Sequence, residues 1–433
     1  MMLWNDMEHA SQRGEKKRGR ALFSRSMKRT HTIFLPQMLE YHSDFLKAAF
    51  AGSGYHLEIM RESGNLKELS LRHISSDYCY PTILILGQVL KILQSEEVPS
   101  DRIAFLEPQT GGACRAGNIY HAILQTLKRC GQERIPVISL NFTGDEKHPG
   151  FQITPKLLFA AVAAVCYGDL ILCLFQQTEP YECHPGETAM VRRQLTEKLS
   201  KQLRMHHGIL GSRERSRGCR MILDAFCQIS IQSTVKKKVG VTGEIYMKFS
   251  SLGNHGLEQF LKQQNCQCFQ GGFINYAIYV MDGTRSSYLL QNTDRPVWKP
   301  VFDLVLRYLM KVQMQLYREA DSYKCFQLDI PYSRLKEKAV GLLGDSCITG
   351  DGWLVAAEAV EAIEQGCRHV LILHPFGCLV SHVCERGIIK KLRQRYPGIN
   401  IQTIEYDYDS SDTLRESRIL LGLSESPLSK QEE

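Results

Sequence analysis

Residues 352–404 read GWLVAAEAVEAIEQGCRHVLILHPFGCLVSHVCERGIIKKLRQRYPGINIQTI, and this stretch decides the fold. Residues 352–365 carry apolar side chains at helical spacing and stop at Gly366. Val370–Leu373 is a short run of branched apolar residues, which predicts a buried strand. A second helical pattern follows over Val383–Arg395, Pro397-Gly398 breaks it, and Ile399–Ile404 reads as the next strand. Short apolar strands joined by helices call for a parallel sheet covered by helices.

The same alternation runs through the first third of the chain. Thr32–Leu35 is an apolar strand, followed by a helix to about Ala51, and His56–Met60 is the next strand. Pro81 opens a helical pattern at Ile83–Leu93, where a missing N–H costs nothing. Arg102–Glu107 and Pro136–Asn141 read as strands on either side of a helix over Ile119–Arg129. Lys238–Gly243 is a further strand, opening into Glu244. Residues 271–300 show little periodicity. The prediction is an α/β chain of two flavodoxin/Rossmann-like parallel-sheet domains with helices on both faces. They cover 31–205 and 236–433, with a helical connector at 206–235 and a basic flexible tail at 1–30.

The chain of 433 residues is 43% hydrophobic and 23% charged, the mix of an ordinary globular protein. Much of its net charge of +7 sits at the start, where residues 1–29 hold eight Lys/Arg against three Asp/Glu. The remaining body is nearly balanced, which argues against a nucleic-acid partner. Leu157–Phe175 is nineteen residues long with one charge, Asp169. That length approaches a membrane span, but an Asp at mid-span is costly and no second span accompanies it. A buried core helix and no membrane association are expected. No phosphate-binding G-x-x-x-x-G-K-[ST], no G-x-S-x-G and no H-E-x-x-H occurs.

Fifteen cysteines, an odd number without a secretory leader ahead of them, read as reduced thiols of a cytoplasmic protein. Cys130, Cys166, Cys173, Cys227 and Cys367 fall in or at the ends of helical apolar patterns and read as small buried hydrophobes. Cys266 and Cys268 are too close in sequence for the usual C-x-x-C chelate, and Cys183 sits in a Pro-bearing turn. Three others share a different setting. Cys79 (SSDYCYP), Cys114 (QTGGACRAGN) and Cys378 (HPFGCLVSH) each precede a helix, the last two on loops leading out of strands. Such loops gather at the carboxyl ends of parallel strands, where ligands bind. Helix N-termini are expected to lower the thiol pKa, and Gly111, Gly112 and Gly377 to let backbone approach a bulky anion. Three such thiolates suit an iron–sulfur cluster. With His382, four residues beyond Cys378, they also suit a Cys₃His zinc site.

These loops belong to a longer set of matching segments: DYCYPTILILGQ, EPQTGGACRAGN, PVISLNF, YGDLILCLFQQTEPYE, VGVTGEIYMKF, HPFGCLVSHVCERGIIKKLRQRYPGINI and IEYDYDSSD. Together they resemble the 2-hydroxyacyl-CoA dehydratase subunit-like domain, in the form found C-terminal to the ATPase modules of long CoA-substrate-specific enzyme activases. The similarity runs in order from about residue 31 to 422, with CYP, TGG-x-CR and PFGC as its most specific elements. The resemblance implies a [4Fe–4S] cluster held by Cys79, Cys114 and Cys378, with one iron left for water or substrate. It implies a low-potential electron from a separate ATP-dependent activase of the ASKHA type. The reaction implied is radical dehydration of an acyl-CoA or, as in double-cubane relatives, reduction of a small molecule. Pairing of the chain with itself or with a paralogous subunit is a further expectation. The ATPase modules are missing here, and residues 206–235 and 271–300 match poorly. The competing reading is a zinc-bound or metal-free interaction module.

Overall fold

The computed structural model describes residues 20–61, 63–108, 114–140, 148–205, 210–290, 299–344 and 346–424. Two four-stranded sheets organise the chain, and every strand pair in them is parallel. The first contains β1 (Thr32–Pro36), β2 (His56–Met60), β3 (Ile103–Pro108) and β4 (Val137–Leu140) in the order β2-β1-β3-β4. The second contains β5 (Lys237–Gly243), β6 (Cys266–Phe269), β7 (His369–Pro375) and β8 (Asn400–Tyr406) in the order β6-β5-β7-β8. The two orders are the same. The α/β class and the pair of parallel-sheet domains expected from the alternating pattern are what the chain forms.

Each strand sends successive side chains to opposite faces, and both faces are covered. In the first sheet Phe34 and Phe105 enter one core while Ile33, Ala104 and Leu106 enter another. In the second, Leu371 and Leu373 face one way and Val370 and Ile372 the other. Phe105 and Val137 share a single core with Val241, Leu371 and Ile404, so the two sheets are joined through apolar packing.

A third, all-helical layer lies beside the sheets. It is built from helices Pro155–Thr178, Glu187–Met205, Ser212–Cys227, Phe273–Leu290 and Lys299–Asp321. Helix Phe273–Leu290 and the start of Lys299–Asp321 occupy the stretch whose pattern was unreadable. Helices before and after the expected connector pack together here, so the boundaries at 205 and 236 divide one layer.

The tail also ends earlier than read. Phe23 is fully buried against Ile33, Tyr55 and Leu57, and its N–H donates to His148 Nδ1 at 3.0 Å. Residues 20–30 therefore belong to the first α/β unit.

The long apolar run forms helix Pro155–Thr178, which is long and apolar enough to cross a membrane by length and composition. Its most apolar window is 72% buried inside the protein. Asp169 is buried mid-helix and accepts from the N–H groups of Phe273 at 2.6 Å and Ile274 at 2.8 Å. It also meets His42 Nε2 at 2.8 Å. Gly168 makes room for that histidine, since a Cβ there would fall 2.1 Å from the His42 ring.

Candidate metal centre

In each sheet the chain leaves the first strand in one direction and later returns on its other side. The loops after β1 and β3, and those after β5 and β7, therefore part from each other and leave a crevice at the carboxyl edge. The two crevices open into one cavity of about 560 Å³. Pro36 at the end of β1 and Gln37 after it, Glu107 and Pro108 at the end of β3, Glu244 after β5 and Pro375 at the end of β7 all line it.

Cys79, Cys114 and Cys378 line this same cavity. Each is delivered by a helix start. Cys79 is extended (φ −63°, ψ 147°) just before helix Tyr80–Ser95, and its sulfur lies 3.0 Å from Thr82 Oγ1. Cys114 caps the 3₁₀ turn Arg115–Asn118, its sulfur accepting from Ala116 N–H at 3.4 Å. Cys378 accepts from Ser381 N–H at 3.5 Å and Ser381 Oγ at 3.1 Å. Glu244 caps helix Ile245–Phe249 by accepting from Met247 N–H at 2.9 Å, and Asp351 precedes helix Gly352–Glu364. Five helix starts thus converge, and their free N–H groups favour anionic occupants. The Gly111-Gly112 pair ahead of Cys114 lies outside the described residues.

The loops are fastened to one another. Tyr80 N–H donates to Phe376 O at 3.2 Å, and Arg115 Nη1 donates to Gly377 O at 3.2 Å. The other Arg115 amine donates to Asp77 O. Arg115 is therefore a tether across three loops rather than a free cation beside the thiols. Gly377 has φ +76°, and a Cβ there would stand 3.2 Å from Cys79 Cα.

The expected lowering of the thiol pKa does not occur. Burial pushes the Cys79 thiol up, with the Thr82 hydrogen bonds opposing it. Burial likewise pushes Cys114 up to about 11, and Cys378 higher still. The charge of Glu244 adds to the rise at all three. The helix N-termini, and at Cys79 the nearby Arg115 charge, are outweighed by desolvation, which penalises a buried thiolate. Carboxyls around the cavity move the same way. Burial raises Glu107 to about 8 and Glu244 to about 7, and burial followed by the charge of Glu244 raises Asp351. Glu107 Oε2 is buried with no hydrogen-bond partner.

Among the described residues, the one group of three ligand atoms all within 4.8 Å of each other is His374, His382 and Glu405. Arg386 already bonds both His374 Nε2, at 3.0 Å, and Glu405 there. Cys79, Cys114 and Cys378 line one cavity but do not form such a close group. His382 does not complete a Cys₃His set. Its Nδ1 is 2.7 Å from Cys378 O, and its Nε2 faces Glu405 at 3.8 Å.

Of the other cysteines, Cys166, Cys266, Cys268 and Cys367 are buried thiols in packed cores. Cys227 is not the small buried hydrophobe its helical position predicts. It is exposed, with its sulfur 2.7 Å from that of Cys325.

Sequence reasoning missed the buried carboxyls Glu107 and Asp351 and the half-buried Glu244. A signal for the first existed: a single acid ends the otherwise apolar run RIAFLE. No family model, no curated protein and no solved structure matches the chain.

Proposed function

We propose that this chain is an iron–sulfur protein that holds a [4Fe–4S] cluster through Cys79, Cys114 and Cys378. In this reading it accepts a low-potential electron from an ATP-dependent activase, for radical dehydration of an acyl-CoA or a related reduction. The observation that carries the proposal is the meeting of these three cysteines, far apart in sequence, in one cavity at converging helix starts. The donor set fits the group. Three soft sulfur donors are present, with Ala116 N–H, Thr82 Oγ1 and Ser381 Oγ within hydrogen-bond reach of them. Metal binding would also offset the cost of ionising buried thiols. When bound, such a cluster supplies a one-electron acceptor and, with only three protein thiolates, one iron whose ligand can exchange.

The chain's own residues have separate tasks. Glu107 carries a carboxyl that keeps its proton at neutral pH and is able to give it up or regain it inside the cavity. Leu35, Met38, Leu106 and Leu158 form an apolar wall that excludes water and suits an acyl chain. Arg115 holds the loops carrying Cys79 and Cys378 to its own.

The test is anaerobic purification followed by iron, acid-labile sulfide and zinc assays. About four iron and four sulfide per chain with a brown colour is the expected result. A colourless anaerobic protein with stoichiometric zinc, or with no metal, would favour the interaction module instead.

A further inference from the structure

Helices Ser212–Cys227 and Lys299–Asp321 run side by side in the same direction, and a regular set of polar pairs fastens them. Gln315 Nε2 donates to Ser216 Oγ at 2.6 Å. Arg220 grips both oxygens of Glu319, at 2.6 and 3.3 Å. Tyr323 OH donates to Asp224 Oδ1 at 2.5 Å. Each of these pairs is separated by 99 residues, so the register is constant from turn to turn. Just past the end of the second helix at Asp321, and one residue out of that register, Cys227 meets Cys325. Their sulfurs are 2.7 Å apart, and both residues are exposed. The two thiols thus meet directly beside a fixed pairing of the two helices.

From this we infer that Cys227 and Cys325 are a reversible disulfide site, oxidised by small-molecule disulfides such as glutathione disulfide. The exchange balances without any other reagent. One cysteine thiolate attacks a sulfur of the reagent, forming a mixed disulfide and releasing one glutathione. The second cysteine thiolate displaces the other glutathione. Two protein S–H bonds are lost, one protein S–S bond forms, one reagent S–S bond breaks, and the two protons leave on the released glutathiones.

The bond would close the end of a strap. Residues beyond Cys325 cross the long apolar helix, where Gln327 N–H donates to Gln177 Oε1 at 2.9 Å. They then bring Asp329 to the N–H of Gly272, at 3.0 Å, ahead of helix Phe273–Leu290. Oxidation clamps this strap at its outer end and joins segments 98 residues apart, which restricts the unfolded chain most strongly for long loops. The site is remote in sequence from the three cavity cysteines and does not depend on the cluster reading.

The full chain would be equilibrated anaerobically over a range of glutathione disulfide to glutathione ratios. Free thiols would then be alkylated and the peptides mapped without reduction. The expected product is a linked Cys227–Cys325 peptide pair, formed at lower oxidant ratios than any adduct on Cys183, an exposed cysteine that serves as the internal control. The oxidised protein should unfold at a higher temperature than the reduced one. In C227S and C325S that difference should vanish, with the remaining cysteine ending as a stable glutathione adduct. Separate adducts on Cys227 and Cys325 in the wild-type protein, or linkage of either to another cysteine, would overturn the inference. The wild-type peptide map decides the matter even if a variant folds poorly.

Discussion

The N–H of Tyr80 donates to the carbonyl of Phe376 at 3.2 Å, and this bond joins the helix start beside Cys79 to the loop that carries Cys378. Tyr80 belongs to the first sheet's unit and Phe376 to the second's. The cavity is thus assembled only when the two sheets are docked, and the docking is fixed beside the thiols. Arg115, reaching from the Cys114 loop to Gly377 O and Asp77 O, ties in the third cysteine. Docking and cysteine geometry are one problem in this molecule.

Replacement of Cys79, Cys114 or Cys378 by Ala should each remove most of the iron from anaerobically purified protein, since two thiolates hold a cubane poorly. Cys166 is buried in the helical layer, remote from the cavity lining, and Cys173 bonds Gln177 and Gln327 O. Their Ala variants should keep full iron and lose about 1 kcal/mol of stability from packing. Iron and sulfide assays on the five proteins check this. Full iron in any of the first three removes that residue from the site.

Gly377→Ala should weaken both the fold and the site. The left-handed φ of +76° costs a side chain about 1–2 kcal/mol, and the added Cβ meets Cys79 Cα at 3.2 Å. Gly387, in helix Arg386–Arg395 with open space around its Cα, is the control, where Ala should stabilise by about 0.5–1 kcal/mol. Urea midpoints and iron content of the two variants should move in opposite directions for stability, and only Gly377→Ala should lose iron.

Much of the fold was legible because strands and amphipathic helices write their own periods. Strand His56–Met60 and helix Ile119–Arg129 fall where the pattern puts them. Helix Phe273–Leu290 did not announce itself, because Ile274, Tyr276, Ile278 and Tyr279 are all buried and leave no polar face to set a period. The tail differs for a related reason: one buried Phe23 beside a charge run outweighs that run only once its partners Ile33 and Tyr55 are in place. The thiol positions could be read from local helix-start signals. Their pKa direction could not, since it depends on burial by distant segments and on Glu244, far away in sequence from Cys79 and Cys378. The Cys227–Cys325 contact has no local signature at all.

Glu107 gives the metal-free protein a pH dependence of definite sign. Its folded-state pKa of about 8 lies above the ordinary 4.5, so between those values the folded state binds more protons than the unfolded state. Stability should therefore fall as pH rises from about 4.5 to 8, by at most about 1.4 kcal/mol per pH unit from this group. Glu107→Gln removes this group's share of the dependence and leaves that of Glu244 and Asp351. Urea unfolding of wild type and variant should nearly coincide at the acid end of the window and separate toward pH 8, with the variant more stable. A constant gap across that range would show that Glu107 is not the group responsible.

Asp169→Leu separates the two readings of the long apolar helix. The carboxylate accepts two backbone N–H groups at the start of helix Phe273–Leu290 and meets buried His42. In a core helix its loss strands these partners, and a buried pair broken in this way costs about 3–5 kcal/mol. In a membrane span the same change removes the one charge and should improve insertion. The wild-type chain should be recovered without detergent and the variant should unfold at markedly lower urea. Greater recovery of the variant in membranes would overturn the core assignment.

The partner prediction follows from what the cavity lacks and what surrounds it. Were a four-iron cluster held by these three cysteines, one corner would take an exchangeable ligand, the arrangement of a reactive site rather than a passive carrier. In the proposed reading the ATP-driven step belongs to a separate activase, which must dock beside the cavity. The Cys378 loop presents Phe376, Leu379 and Val383 at 40%, 61% and 63% exposure, an apolar surface next to the thiol cavity on which that protein can seat. A matching activase with ATP and a low-potential reductant should reduce the bound cluster, while the reductant alone should do so poorly. Leu379→Asp should slow the activase-dependent step several-fold and leave iron content unchanged. EPR of samples frozen at set times reads both effects. An identical signal with and without activase and ATP would remove the activase from the proposal and leave the cluster to be judged by the iron and sulfide assays alone.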